Sequence, residues 1–159
     1  TLQGRHDSYP KRRGMTRVKE MIAQGIRVGF GQDCVLDPWY SLGTADMLDV
    51  AFMGLHVAQM SSPADMRTCF DMVTKVNAEI MGLDHLGLAV GKTASLVVLD
   101  AGNPIEAIRL RAERLCVVAR GKVVAEREKR ETALSITGRP ATVNRRHTLP
   151  SQAQGKLPG

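Results

Sequence analysis

The segment at residues 26–40 constrains the fold more than any other part of this sequence. Its first half alternates apolar residues with small or basic ones up to a glycine, and three polar residues then follow, Gln32, Asp33 and Cys34. An alternating run of this length, bounded by turn residues, is typical of a buried β-strand. In parallel α/β folds the chemistry lies at the carboxyl ends of strands, because the loops there vary without disturbing the strands beneath. We therefore expect a strand at residues 26–31 with Asp33 at a functional edge.

The aspartate by itself leaves two roles open. An aspartate after a strand is often no more than a helix cap or a turn former. A carboxylate at such an edge can also bind a hard or borderline divalent metal and accept a proton from water. The spacing alone does not decide between the structural and the catalytic role.

Helical patterns flank the predicted strand. Residues 16–24 place three apolar side chains on one helical face. Residues 44–59, with Thr44 as the expected cap, carry apolar side chains on nearly every face, which predicts burial on more than one side. Another helix is expected at residues 62–82, because Ser62 precedes a proline and an aspartate in a capping arrangement.

The second half of the chain has the pattern of short strands. Residues 94–99 form an apolar run, and residues 115–119 and 123–125 predict a hairpin with its turn around Gly121. Between them, Asn103 is the expected cap of a short helix. Three short strands are not stable alone, so they require packing partners.

Charge and composition exclude several classes of protein. The formal net charge is +6, but it is concentrated at the two ends, and in residues 20–126 acidic residues outnumber basic ones. Aromatic residues make up only 4% of the chain, which is too few for a set of base-stacking side chains, so we expect no nucleic-acid partner. No apolar run approaches the roughly 18 residues that a membrane span requires, so we expect no membrane partner.

The number and spacing of the cysteines indicate the cellular compartment of the protein. There are three, an odd number, and they are widely spaced without a CxxC pair. This pattern predicts free thiols in a reducing environment, so we expect a cytoplasmic protein.

Motifs within residues 4–56 carry a resemblance to a known family. PKRRG at residues 10–14, the strand-end Asp33 and DPWY at residues 37–40 occur in this order. The combination resembles the last barrel strand and following helix of the cytosine deaminase branch of the metal-dependent amidohydrolase superfamily, and the resemblance covers about residues 2–126. The family's enzymes are much longer (β/α)8 barrels, which need roughly 200 residues or more. The resemblance therefore implies a C-terminal portion only.

The resemblance also implies the domain organisation. The expected fold class is α/β, the C-terminal part of a (β/α)8 TIM-like barrel plus strands of a small β-sandwich. Residues 1–85 correspond to the last strand and helices of the barrel, and residues 86–126 to the C-terminal strands of the sandwich. Residues 127–159 are rich in Arg, Thr, Pro, Gln and Gly and are expected to be a disordered basic tail.

The activity implied by the resemblance is hydrolytic deamination of a cytosine-like pyrimidine or related heterocycle. Asp33 matches a residue that binds one divalent metal ion, Fe or Zn, and serves in catalysis. Trp39 matches the tryptophan that walls the substrate pocket, although packing at the strand–helix junction is an alternative role. Cys34 stands where the family carries a second aspartate, and Gln32 stands where some members carry a histidine. The loss of that carboxylate is expected to change which exocyclic groups the site tolerates.

The remaining metal ligands of the family are absent from this sequence. Its four histidines form no HxH or HExxH motif, so the isolated chain is expected to be inactive. The resemblance implies a small heterocyclic substrate and a homo-oligomer at full length. A non-catalytic fragment, or an oligomerisation or binding module of amidohydrolase fold, is the alternative from a different class.

Overall fold

Helices dominate the first half of the chain and strands the second half. A computed structural model describes residues 16–38 and 41–143, without the side chains of residues 142 and 143. The chain divides into two units, Thr1–Arg127 and Glu128–Gly159. The helices described in the first unit are α1 (Val18–Ala23), α2 (Met47–Val57), α3 (Pro63–Met72), α4 (Lys75–Ile80) and α5 (Pro104–Leu110). Its strands are β1 (Leu96–Leu99), β2 (Arg114–Ala119) and β3 (Lys122–Glu126).

Side-chain caps fix the starts of three helices. Ser62 accepts a hydrogen bond from the Asp65 N–H at 3.1 Å, and Asn103 accepts one from the Glu106 N–H at 3.0 Å, as the sequence predicts. The cap of α2 is Asp46 and not Thr44 as expected. The Thr44 hydroxyl lies two residues too early and instead donates to a side chain farther along α2.

The single helix expected at residues 62–82 is two helices. Helix α3 ends at Met72 and α4 begins at Lys75. Between them Thr74 has φ −128° and ψ −103°, outside the helical region, and its hydroxyl donates to the Phe70 carbonyl at 2.8 Å. The hydroxyl bond alone does not break a helix, because Thr68 makes the same bond to the Ala64 carbonyl within α3; the break lies in the backbone conformation of Thr74.

The strand expected at residues 26–31 is not observed. These residues are neither helical nor part of a β-ladder among the described residues. The Phe30 N–H donates to the Met72 carbonyl at 3.1 Å, and its carbonyl accepts from the Asn77 side chain at 2.7 Å. A ladder needs a neighbouring strand, and the described chain supplies helical groups in its place.

One antiparallel sheet follows in the order β1-β2-β3. A two-residue turn joins β2 to β3 with positive φ at both positions, 51° at Arg120 and 78° at Gly121, the geometry of a type I′ hairpin. All five residues of β3 are exposed, and β3 pairs with β2 alone in the described residues. It is therefore an edge strand.

The core of the first unit lies among the helices. Its members are buried apolar residues: Val18, Leu48, Ala51, Leu55, Met60, Cys69, Met72, Val73, Ala107, Ile108 and Ala112. Helix α2 does not have the burial on several sides that its sequence predicts, because Met53 and Val57 remain 59% and 45% exposed. The described chain thus covers one face of α2 and leaves another open.

The second unit contains a short antiparallel pair, β4 (Thr132–Ala133) and β5 (Thr142–Val143). The remainder of the tail expected at residues 127–159 lies outside the described residues from 144 onward, and its disorder stays a prediction. The structure is mixed α/β with a small antiparallel sheet. The complete barrel and the β-sandwich also stay predictions. In the described ranges, no helix has the length and apolar character needed to cross a membrane.

Candidate functional site

Three of the four site residues expected from the sequence line one groove. The groove has a volume of about 620 Å³ and lies between residues 30–34 and helix α2. Gln32, Asp33 and Cys34 contribute polar groups to its lining, and α2 contributes apolar side chains. Trp39 lies outside the described residues, so its role stays a prediction.

Two glycines allow the groove walls to approach each other closely. A Cβ on Gly54 would lie 2.5 Å from the Phe30 ring, and a Cβ on Gly43 would collide with the Cys34 carbonyl. The second contact involves backbone atoms, which do not move aside as a flexible side chain can. The segment that carries Asp33 therefore lies directly on α2 at Phe30 and on the 41–44 loop at Cys34.

Residues 32–34 present one exposed carboxylate between two half-buried neighbours. The Asp33 side chain is exposed. The Gln32 Nε2 donates to the Cys34 carbonyl at 3.1 Å, so this amide group helps to fix the local backbone. Its predicted contact with substrate stays a prediction.

The Cys34 thiol has a raised pKa. Partial burial is the largest cause, followed by a hydrogen bond with Asp37 and the negative charges of Asp33 and Asp37. The thiolate is the nucleophilic form of cysteine, so this environment favours the neutral thiol and disfavours a role as nucleophile.

A cation that the sequence pattern did not reveal, Arg111, also lines the groove. The Arg111 guanidinium carbon is 4.4 Å from the centroid of the Phe52 ring, and its Nε lies 3.7 Å from an Asp49 carboxylate oxygen. Arg111 follows α5 with φ 46°, and Asp49 and Phe52 belong to α2. Tertiary packing alone joins these residues, so no local signal could have identified them.

The described residues supply at most part of a metal site. Asp33 offers a carboxylate, the hard oxygen donor that divalent metals accept. However, no group of three or more His, Cys, Asp or Glu side chains that could hold a metal occurs in residues 16–38 and 41–143. The donor chemistry therefore fits one ligand of a site, and no reaction step follows from these residues through a metal.

The exposed Asp33 carboxylate beside a partly apolar groove, on a mixed α/β chain, is the kind of concave site at which proteins bind small molecules. The amidohydrolase family model matches residues 1–125, so the chain belongs to the amidohydrolase family. The fold resembles the 5-methylcytosine deaminase of Klebsiella pneumoniae liganded with 5-fluorocytosine, with a TM-score of 0.79 and 44% identity. This likeness confirms the cytosine deaminase branch of the superfamily.

That match covers 83% of this chain and 32% of the deaminase. The chain is also 31% identical to the N-isopropylammelide isopropyl amidohydrolase of Pseudomonas sp. strain ADP, over 70% of this chain and 28% of the relative. The pterin deaminase of Rhizobium rhizogenes is 31% identical over 77% of this chain and 28% of its own length. The chain thus spans about a third or less of these relatives.

Proposed function

We propose that this chain is the C-terminal part of a metal-dependent hydrolase that removes the exocyclic amino group of a cytosine-like pyrimidine or a related heterocycle. One observation carries the proposal: the exposed Asp33 lies in a groove beside Gln32 and Cys34, in a chain 44% identical to a 5-methylcytosine deaminase over 83% of its length. The barrel fold of the whole protein, a cytoplasmic location and a homo-oligomeric state are parts of the same proposal.

Asp33 has two roles in this proposal. Its carboxylate provides one ligand to a divalent metal, Fe or Zn, and its second oxygen accepts a proton during attack on the ring. When bound, the metal supplies a water whose pKa is lowered to about 7. The remaining ligands belong to a part of the protein beyond this chain, so the isolated chain is inactive.

We assign selectivity between substrate rings to Cys34. Gln32 and Trp39 are assigned to substrate binding. A half-buried neutral thiol is at best a weak hydrogen-bond donor and carries no charge. A carboxylate at the same position accepts hydrogen bonds from exocyclic amino or ring N–H groups. The thiol therefore favours rings with a different arrangement of donors, such as isocytosine, isoguanine or aminotriazines, over cytosine itself.

The test uses the longer protein of which this chain is proposed to be a part, assayed for ammonia release over a panel of these rings. Asp33→Asn is expected to lower kcat by about 10²–10⁴-fold on every substrate, because proton transfer is common to all of them. Asp71→Asn is the matched control. It removes a carboxylate that pairs with the surface side chain Lys75 on the neighbouring helix and does not line the groove, so it should leave turnover unchanged.

Cys34→Asp is expected to act differently, since it changes the ring-side acceptor and leaves the metal ligand in place. It should shift the ratio of kcat/KM between cytosine and the other rings, while kcat on the best substrate stays within about a hundredfold. Near-normal turnover of Asp33→Asn, or equal loss on all rings in Cys34→Asp, would show that the two roles are wrongly assigned. No turnover of any ring by the wild-type protein, even when loaded with metal, would favour the alternative of a non-catalytic binding or oligomerisation module.

A further inference from the structure

We propose that Asn77 is a positioning residue for Asp33, holding the segment that leads into the carboxylate in the place of a neighbouring strand. This inference rests on the proposed function of Asp33. Because the Asp33 side chain is exposed, its location depends on the backbone that carries it.

Phe30, three residues before Asp33, has both of its backbone polar groups bonded to the α3–α4 region. Its carbonyl accepts from the Asn77 Nδ2 at 2.7 Å, a partly buried contact between residues 47 positions apart in sequence. Its N–H donates to the Met72 carbonyl at 3.1 Å. The last carbonyls of a helix have no intrahelical partner, so the end of α3 at Met72 leaves this carbonyl free to accept.

The break between α3 and α4 makes this arrangement possible. If the helix continued without interruption, the Met72 carbonyl would accept from an N–H one turn later in the same helix. The non-helical Thr74 separates α3 from α4, and Asn77 of α4 donates to the Phe30 carbonyl. The break between α3 and α4 is therefore part of the arrangement that holds Phe30.

Gly29 is the counterpart of Asn77. A Cβ at residue 29 would collide with the Asn77 Oδ1 and would lie 3.2 Å from the Ile80 Cδ1. The amide side chain can lie flat against the backbone here only because residue 29 has no side chain. Gly29 and Asn77 thus form a matched pair, and a change at one should alter the cost of a change at the other.

Helix α2 also confines the segment. The Phe30 ring lies against Gly54 of α2, where a Cβ would be 2.5 Å away. The segment is therefore held both by α2 and by Asn77. Loss of the Asn77 amide would leave the Phe30 carbonyl without this partner. The residues that lead from Phe30 to Asp33 would then lose this restraint.

The first experiment uses the 159-residue chain and three variants, Asn77→Ala, Asn77→Asp and Lys75→Gln. Hydrogen exchange of the Phe30 amide, which is bonded to the Met72 carbonyl, and peptide-resolved alkylation of Cys34 report on the segment. Alkylation of Cys69 and urea unfolding report on the whole chain. Asn77→Ala and Asn77→Asp should accelerate exchange and Cys34 alkylation about three- to tenfold, the factor expected for one lost hydrogen bond, with Cys69 unchanged.

Lys75→Gln is the matched control, because it removes an exposed ion pair from the same helix without touching Phe30. It should change neither readout. If Asn77→Ala accelerates the alkylation of Cys34 and Cys69 equally, in proportion to the loss of global stability, Asn77 is only a structural residue and the proposal is overturned.

The second experiment is a double-mutant cycle between Gly29→Ala and Asn77→Ala. Gly29→Ala should accelerate Cys34 alkylation in the wild-type background and have a markedly smaller effect in the Asn77→Ala background, because the colliding amide is gone. Additive effects would refute the matched pair. In the longer protein, Asn77→Ala should lower kcat by about tenfold to a hundredfold with little change in KM. If that protein has no deaminase activity, the proposed function fails, whereas the exchange and alkylation results still decide whether Asn77 holds the segment.

Discussion

Replacing Asp46 by alanine removes two interactions at one point. Its Oδ1 caps α2 by accepting from the Leu48 N–H at 2.8 Å, and the Arg114 guanidinium donates to both carboxylate oxygens, at 3.0 Å to Oδ2. Loss of the cap costs about 0.5–2 kcal/mol. The ion pair adds up to about 1 kcal/mol, discounted because the Arg114 and Asp46 side chains are 40% and 20% exposed. We expect Asp46→Ala to lower the free energy of unfolding by about 0.5–3 kcal/mol.

Asp46→Asn separates the two contributions, because asparagine keeps a capping oxygen but loses the charge. It should cost less than about 1 kcal/mol at pH 7. Burial by itself would raise the pKa of Asp46, but hydrogen bonds from Arg114 and from the Leu48 N–H outweigh it and lower the pKa. A carboxyl with a lowered pKa in the folded state adds stability above the unfolded value of about 3.9, and this stability is lost as the pH falls through the folded value. The difference between wild type and Asp46→Asn should therefore persist at pH 5–7 and shrink below about pH 4.

Urea unfolding followed by circular dichroism between pH 3 and pH 7 measures these differences. Asp71→Asn, which removes an exposed i,i+4 ion pair, is the control and should cost about 0.5 kcal/mol or less. If Asp46→Ala costs no more than Asp71→Asn, or if the difference between wild type and Asp46→Asn grows as the pH falls, the reasoning about this cap is wrong.

Three further outcomes are expected. Leu55→Ala in the core should lower the free energy of unfolding by about 2–5 kcal/mol. Leu42→Ala, at a residue that is 74% exposed, should change it by about 0.5 kcal/mol or less. Urea unfolding measures both changes. Burial raises the pKa of Cys69 to about 11, so peptide-resolved alkylation at pH 8 should modify this thiol only as the chain unfolds; fast labelling of the native chain would contradict its burial. Gly121→Val places a β-branched residue at φ 78° and should lower the melting temperature by several degrees in a thermal scan, and an unchanged midpoint would exclude strain at this turn.

Local chemistry was predictable from the sequence. Ser62 and Asn103 act as caps in the structure, because a cap depends on residues two or three positions away. The hairpin turn at Gly121 was predictable for the same reason, since the left-handed conformation favours glycine. The family was also predictable, because motifs in a fixed order are more specific than any single residue.

Features that depend on distant parts of the chain were not predictable. The apolar alternation of residues 26–31 predicts a strand, but a ladder depends on a neighbour that the described residues do not provide. Gln32, Asp33 and Cys34 lie close together because they are neighbours in sequence. Arg111 reaches the groove, and Asn77 reaches Phe30, only through tertiary packing. The choice of Asp46 over Thr44 as cap also depends on Arg114, 68 positions away, which stabilises the carboxylate at that point.

The exposed edge of β3 has consequences for handling the protein at high concentration. Val123 and Val124 are 56% and 61% exposed on a strand that has one neighbour in the described sheet. Such an edge can recruit the same strand of another molecule, and the net charge of +6 opposes the association of two copies. Added salt weakens this electrostatic protection, so light scattering by the isolated chain should rise with both protein and salt concentration. A neighbouring strand supplied by a longer chain would remove the tendency, so the same sequence would be colloidally stable in one context and prone to self-association in the other.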